Sequence, residues 1–194
     1  LERLTGEDTV TGAVLTDGTV LPADLVLVGI GVTPDTRLAA EAGLAIDDGI
    51  AVDALGRTSD PRIFAAGDAT SFPHAGARVR LESVPNAIDQ AEATAAVMLG
   101  GTEPYAARPW FWSDQYDVKL QIAGLNAGWE RTIVRSGARP GSQSVWYWKG
   151  DRLLSVDAMN DPRAYMTAKR WIEAGHSPDP AAIADPALDL KALA

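Results

Sequence analysis

The 194 residues include no cysteine. Disulfide exchange, a thiolate nucleophile and a Cys-ligated cluster are therefore excluded on this chain, and any redox chemistry must come from a bound cofactor. Histidine is nearly as scarce. His74 and His176 are the only two and stand far apart in sequence, so no His-based metal site is expected. No apolar run reaches membrane-spanning length and no signal-peptide pattern opens the chain. The expectation is a cytoplasmic protein without a membrane partner. Positive charge is in deficit: 17 Lys and Arg against 26 Asp and Glu give a net charge of -9. That balance argues against a general nucleic-acid or anionic-membrane binder, although it leaves room for a local basic patch. What is present is an ordinary globular composition, 46% apolar and 22% charged, sufficient to bury a core in one large or two small domains.

Along the chain two styles follow one another. "VTGAVLTDGTVLPADLVLVGIG" reads as three short strands, with a hairpin turn at Asp17-Gly18. The last, "LVLVGIG" (25–31), is apolar at nearly every position, as for a strand buried on both faces. Residues 35–43 suit a short helix capped by Asp35 or Thr36 and stopped by Gly43. Residues 44–53 suggest a hairpin with Asp48-Gly49 at its tip, and 58–68 a turn at Asp60-Pro61 followed by a buried strand. From Ser83 the period changes to that of a helix of about four turns, with Pro85 in its first turn and Gly100-Gly101 at its end. A linker over 102–109 leads to a segment holding all six tryptophans, a run of strands over 117–158, and a helix over 160–175 capped by Asn160 or Asp161.

Two short motifs carry chemistry. "GIG" at 29–31 opens like a dinucleotide fingerprint. Its third glycine is missing, and Pro34 stands where the helix should begin, so alone it reads as a strand exit rather than a pyrophosphate cradle. "IFAAGDAT" (63–70) ends an apolar run on Gly67 and Asp68. Taken alone it is a capped turn. Gly67 also permits close backbone approach, Asp68 can accept a hydroxyl hydrogen bond, and the helix that follows at Val84-Pro85 brings a positive dipole end. Trp110 and Trp112 share one face of an extended segment, as do Trp146 and Trp148, for which packing is the expected role. Arg78 and Arg80 read either as a solvated pair or as a docking spot for an acidic partner, and Glu82 either as a cofactor contact or, the favoured reading, as an ion-pair partner of Arg80.

"GIGVTPDTRLAAEAGLAIDDGIAVDALGRTSDPRIFAAGDAT", "RVRLESVPNAIDQAEATAAVMLGG" and "PWFWSDQYDVKLQIAGL" fall in order and cover nearly the whole chain. Together they resemble the FAD-dependent pyridine-nucleotide ferredoxin reductases, which reduce the ferredoxins of cytochrome P-450 and ring-hydroxylating dioxygenase systems. The resemblance implies an α/β fold, part of a two-dinucleotide-binding flavoprotein, followed by an α+β C-terminal domain with a small antiparallel sheet and a helix. It implies FAD as cofactor, NAD(P)H as substrate and a 2Fe-2S ferredoxin as partner. Residue by residue, it implies that Asp68, with Gly67 beside it, holds the ribityl chain. Val84, Pro85 and Asn86 would lie against the pyrimidine side of the flavin, Trp112 near the flavin and the ferredoxin, and Ile30 and Gly31 near the nicotinamide.

The family's two glycine fingerprints have no match here. The expectation is thus the C-terminal portion of a reductase: 1–32 the end of the NAD(P) domain, 33–105 the C-terminal part of the FAD domain, and 106–194 the reductase C-terminal domain. Two alternatives stand beside it. One is a related reductase serving rubredoxin or nitrite reduction. The other is a non-catalytic module that binds a partner or dimerises through its tryptophan-rich domain.

Overall fold

The computed structural model describes residues 1–193. It divides into two compact units, Leu1–Thr33 and Pro34–Ala194. The first is a three-stranded antiparallel sheet of β1 (Arg3–Thr5), β2 (Gly12–Val14) and β3 (Val20–Pro22) in sequence order. The Asp17-Gly18 turn joins β2 to β3 as expected, with Asp17 Oδ1 accepting the Thr19 N–H at 2.9 Å. The strand expected over 25–31 does not form. These residues carry no ladder, and Leu27 and Ile30 are each 91% exposed. An all-apolar strand is stable only with neighbours along its edges and layers over its faces, and none of the described residues pairs with it.

The second unit opens with α1 (Arg37–Glu41), preceded by Thr36. The hairpin expected at 44–53 is reduced to a single bridge, Ile46 to Ile50. Its outgoing arm, β4 (Ile50–Ala51), pairs parallel to β5 (Thr70–His74) instead, and β5 turns back antiparallel into β6 (Ala77–Val79). These two strands over 70–79 are not among those expected from the sequence. The buried strand expected before Gly67 is also absent: Phe64 bridges to Arg57, the Ala65 N–H donates to the Gly56 carbonyl at 3.0 Å, and no ladder continues into the Gly67 turn. The Asp60-Pro61 turn is present, closed by the Ile63 N–H to Asp60 carbonyl bond.

Helix α2 (Val84–Met98) follows, with Pro85 in its first turn. The rest is a five-stranded antiparallel sheet in the order β7-β8-β11-β10-β9, with β7 Trp110–Gln115, β8 Val118–Gly124, β9 Arg131–Ser136, β10 Gln143–Lys149 and β11 Arg152–Met159. Helix α3 (Pro162–Ala174), capped by Asp161 and ended at Gly175, lies on β8 and β11. A short helix α4 (Pro180–Ala184) and a 3-10 turn (Leu190–Leu193) complete it.

Two apolar clusters hold the second unit. In one, Trp146, Trp148, Val156 and Leu153 of the sheet meet Ala164, Tyr165, Ala168 and Trp171 of α3. Trp146 and Trp148 point to one face, as the two-residue period of a strand requires, and both are fully buried. In the other, Val52, Phe72 and Leu81 pack with Tyr105, Ala107, Phe111 and Leu125, so the 102–109 linker is itself part of a core.

Candidate cofactor site

The site is built on α2. Its buried stripe is Asn86, Gln90, Thr94 and Val97, residues spaced to share one helix face. Three of the four are polar, so the face docks on backbone rather than on an apolar layer. At its upper end the Gln90 Oε1 accepts the Gly67 N–H at 2.8 Å and the Thr70 hydroxyl approaches it at 3.0 Å. That hydroxyl also lies 2.8 Å from the Gly67 carbonyl, which in turn accepts the Thr70 N–H at 2.9 Å. At its lower end Thr94 fills the space beside Gly56: a β-carbon there would stand 2.4 Å from the Thr94 Oγ1, closer than any side chain tolerates.

Gly67 is buried at φ +86°, in the left-handed region, and a β-carbon there would lie 3.7 Å from that of Ala87. The room exists. The backbone angle is what calls for glycine. The turn therefore sits directly on the first turn of α2 and presents Asp68 outward. Asp68 is exposed, and its side chain enters no ion pair or hydrogen bond found among the described residues.

The helix start is fixed from three directions. Ser83 Oγ accepts the Asn86 N–H at 3.2 Å, the usual side-chain cap. Asn86 Nδ2 donates to the Leu81 carbonyl at 3.2 Å, and its Oδ1 accepts the Tyr105 hydroxyl at 3.0 Å. Burial, and then the charge of Asp89, pushes the Tyr105 phenol up to about 12, so it remains a donor across the physiological range. Pro85 has no N–H and that of Asn86 is taken by Ser83, which leaves the Val84 N–H at the helix mouth.

The structure thus brings Gly67, Asp68, Val84, Pro85 and Asn86 together. The Asn86 side chain is spent on bracing the helix start. Trp112 lies on β7, which packs against α2. It is 50% exposed and stacks on Trp110 at 5.4 Å, while the Lys169 ammonium stands 5.0 Å from the centre of the other indole. Ile30 and Gly31 belong to the first compact unit and are exposed. Arg78 and Arg80 are both engaged within the protein. Arg78 donates to the Val52 and Ser71 carbonyls at 2.8 and 2.7 Å, and Arg80 pairs with Asp48 and, as expected, with Glu82. Gln90, Thr70 and Tyr105 were not singled out in the sequence. The available signal was a glutamine one turn beyond Asn86 on a helix of mostly small residues.

Comparison with known proteins agrees with this architecture. Residues 1–91 match the pyridine nucleotide-disulphide oxidoreductase family, and residues 110–194 match the reductase C-terminal family. The chain thus belongs to the pyridine nucleotide-disulphide oxidoreductase family over 1–91 and to the reductase C-terminal family over 110–194. Putidaredoxin reductase from Pseudomonas putida is 42% identical over 99% of the chain and 46% of the relative. A ferredoxin reductase from Rhodopseudomonas palustris superimposes with a TM-score of 0.89 at 42% identity, over 98% of this chain and 48% of that one. The putidaredoxin reductase of a covalent complex with putidaredoxin does so with a TM-score of 0.87 at 40% identity, over 98% and 48%. The chain spans about half the length of the relatives it matches. Enzymes of this family use FAD and NAD(P)H. The five-stranded sheet with α3 is the expected C-terminal domain. Among the described residues no helix is long and apolar enough to cross a membrane.

Proposed function

We propose that the Gly67-Asp68 turn and the start of α2 form one wall of an FAD site. The protein would carry electrons from NAD(P)H through that flavin to a 2Fe-2S ferredoxin of a cytochrome P-450 or ring-hydroxylating oxygenase system. The observation that carries this reading is the unspent carboxylate of Asp68, held on a backbone without a side chain against a helix N-terminus. The residues fit the cofactor. Asp68 is free to accept a ribityl hydroxyl, Gly67 lets the chain come close, and the positive end of α2 favours negative charge gathering on the pyrimidine side of the ring. When bound, FAD takes a hydride and passes electrons on singly. The protein holds the ring and shields one side of it, with Val84 and Pro85 at the helix mouth and Trp112 at the ferredoxin side. Asn86 contributes by fixing the helix start.

In this reading 1–32 ends the NAD(P) domain, with Ile30 and Gly31 near the nicotinamide. Residues 33–105 belong to the FAD domain and 106–194 to the reductase C-terminal domain. The partner class is supported by the relative whose solved structure is a complex with putidaredoxin.

The test is FAD titrated into the chain, alone and fused behind the amino-terminal half of the Pseudomonas putida relative, followed by flavin absorbance. Asp68→Ala is expected to weaken FAD by about 10–100-fold, the loss of one hydrogen bond to a charged group. Equal affinity in the variant would remove Asp68 from the site.

A further inference from the structure

A cleft of 650 Å³ opens between the β5–β6 hairpin, the 106–109 linker, the β10–β11 turn and α3. Four cationic side chains line it from three separate stretches: Arg108, Lys149 with Arg152, and Lys169. Both histidines of the chain, 102 positions apart, line it as well. One carboxylate, Glu173, is among the lining residues. On a chain of net charge -9 this is a local inversion of sign.

None of the four cations is in an ion pair found among the described residues, whereas Arg37, Arg62, Arg78, Arg80 and Arg163 all are. The cluster is therefore not balanced internally, and like charges converging on one concavity repel. Burial first, and then the charge of Arg152, holds the His74 imidazole below the usual histidine range. The walls are partly preset. His176 Nε2 donates to the Leu193 carbonyl at 3.0 Å and its ring meets Trp171 edge-on at 5.6 Å. Ser177 accepts the Leu153 N–H at 2.9 Å, which leaves its hydroxyl proton to donate.

We propose that this cleft binds a small anion carrying two adjacent phosphate groups. Two guanidinium and two ammonium groups match the charge of a diphosphate, and a guanidinium fork can take phosphate oxygens two at a time; the volume lies within the range of small-molecule sites. The inference does not rest on the flavin reading, since it uses no residue of the Gly67–α2 site.

The experiment is calorimetric titration of the 194-residue chain with inorganic pyrophosphate and, separately, ADP at constant ionic strength, with sulfate as the comparison anion. One-to-one binding is expected, tighter than sulfate, weakened at least tenfold in Arg152→Gln and in Arg108→Gln, and unchanged in Arg37→Gln. Thermal melting gives a second readout, with pyrophosphate raising the midpoint of the unaltered chain but not of the double variant. ADP binding more tightly than pyrophosphate would make the ligand a nucleotide, and the reverse order a free polyphosphate. No binding, equal affinity in the arginine variants, or sulfate binding as tightly as pyrophosphate would overturn the proposal.

Discussion

Gln90 decides how close the Gly67 turn can stand to α2. Its carbonyl oxygen serves two donors, the Gly67 N–H and the Thr70 hydroxyl, in a place closed to water. Gln90→Leu keeps the bulk and removes the acceptor. It should cost about 1–3 kcal/mol, because a buried N–H loses its partner, and it should loosen the turn that presents Asp68. Urea unfolding of the variant measures the first effect and FAD titration of the fused chain the second. Full stability in the variant would mean that the Gly67 N–H finds another acceptor. Gly67 and Asp68 were legible in the sequence as a pair. Gln90 was not, because nothing in a lone glutamine on a helix says that it faces inward; only the packing of α2 onto the turn makes it the acceptor.

The helices differ in how firmly the sequence ends them. Asp161 accepts the Ala164 N–H at 3.1 Å, Pro162 follows it, and Gly175 closes α3. Thr36 stands at the cap position of α1 without a side-chain bond to it. Asp161→Ala should therefore destabilise the sheet-and-helix domain by about 1 kcal/mol, read from the tryptophan emission midpoint in urea. Thr36→Ala should leave the midpoint in place. Caps, proline and glycine are local signals, which is why α2 and α3 were placed by the sequence almost to the residue. The strands fared unevenly. β8 to β11 fall within the run of strands read over 117–158, whereas β7 was expected only as an extended segment carrying Trp110 and Trp112, and the pairing of β8 with β11 joins strands that are not neighbours in sequence. Residues 25–31 and 63–67 have the composition of buried strands, but among the described residues the first has no strand partner and the second only the Phe64–Arg57 bridge, and composition does not supply more.

The same exposed run has a consequence for the whole molecule. Leu25, Leu27, Val28, Ile30 and Val32 lie open to solvent within eight residues, an apolar stretch of the kind that associates nonspecifically. The native chain should bind an apolar fluorescent dye, and Leu27→Lys with Ile30→Lys should remove most of that signal while leaving the tryptophan emission of the second unit unchanged. An unchanged dye signal would place the apolar surface elsewhere. The net charge of -9 opposes such association, so the effect should grow with added salt.

The sequence by itself determined the chemistry that is excluded, since a chain without cysteine has no thiol chemistry of its own. It also determined helices α1 to α3, whose caps and periods are local, and the family, whose motifs are contiguous. Tertiary structure decided which polar residues are spent and which are free. Asn86 turned inward to Leu81 and Tyr105, Arg78 and Arg80 were taken up by neighbouring carbonyls and carboxylates, and Asp68 was left unpartnered. It also gathered Arg108, Lys149, Arg152, Lys169 and the two distant histidines around one cleft. The physical reason is the same in each case. A hydrogen bond or a field depends on distances in space between residues far apart along the chain, and those distances are set only when the sheet, α2 and α3 close on their cores.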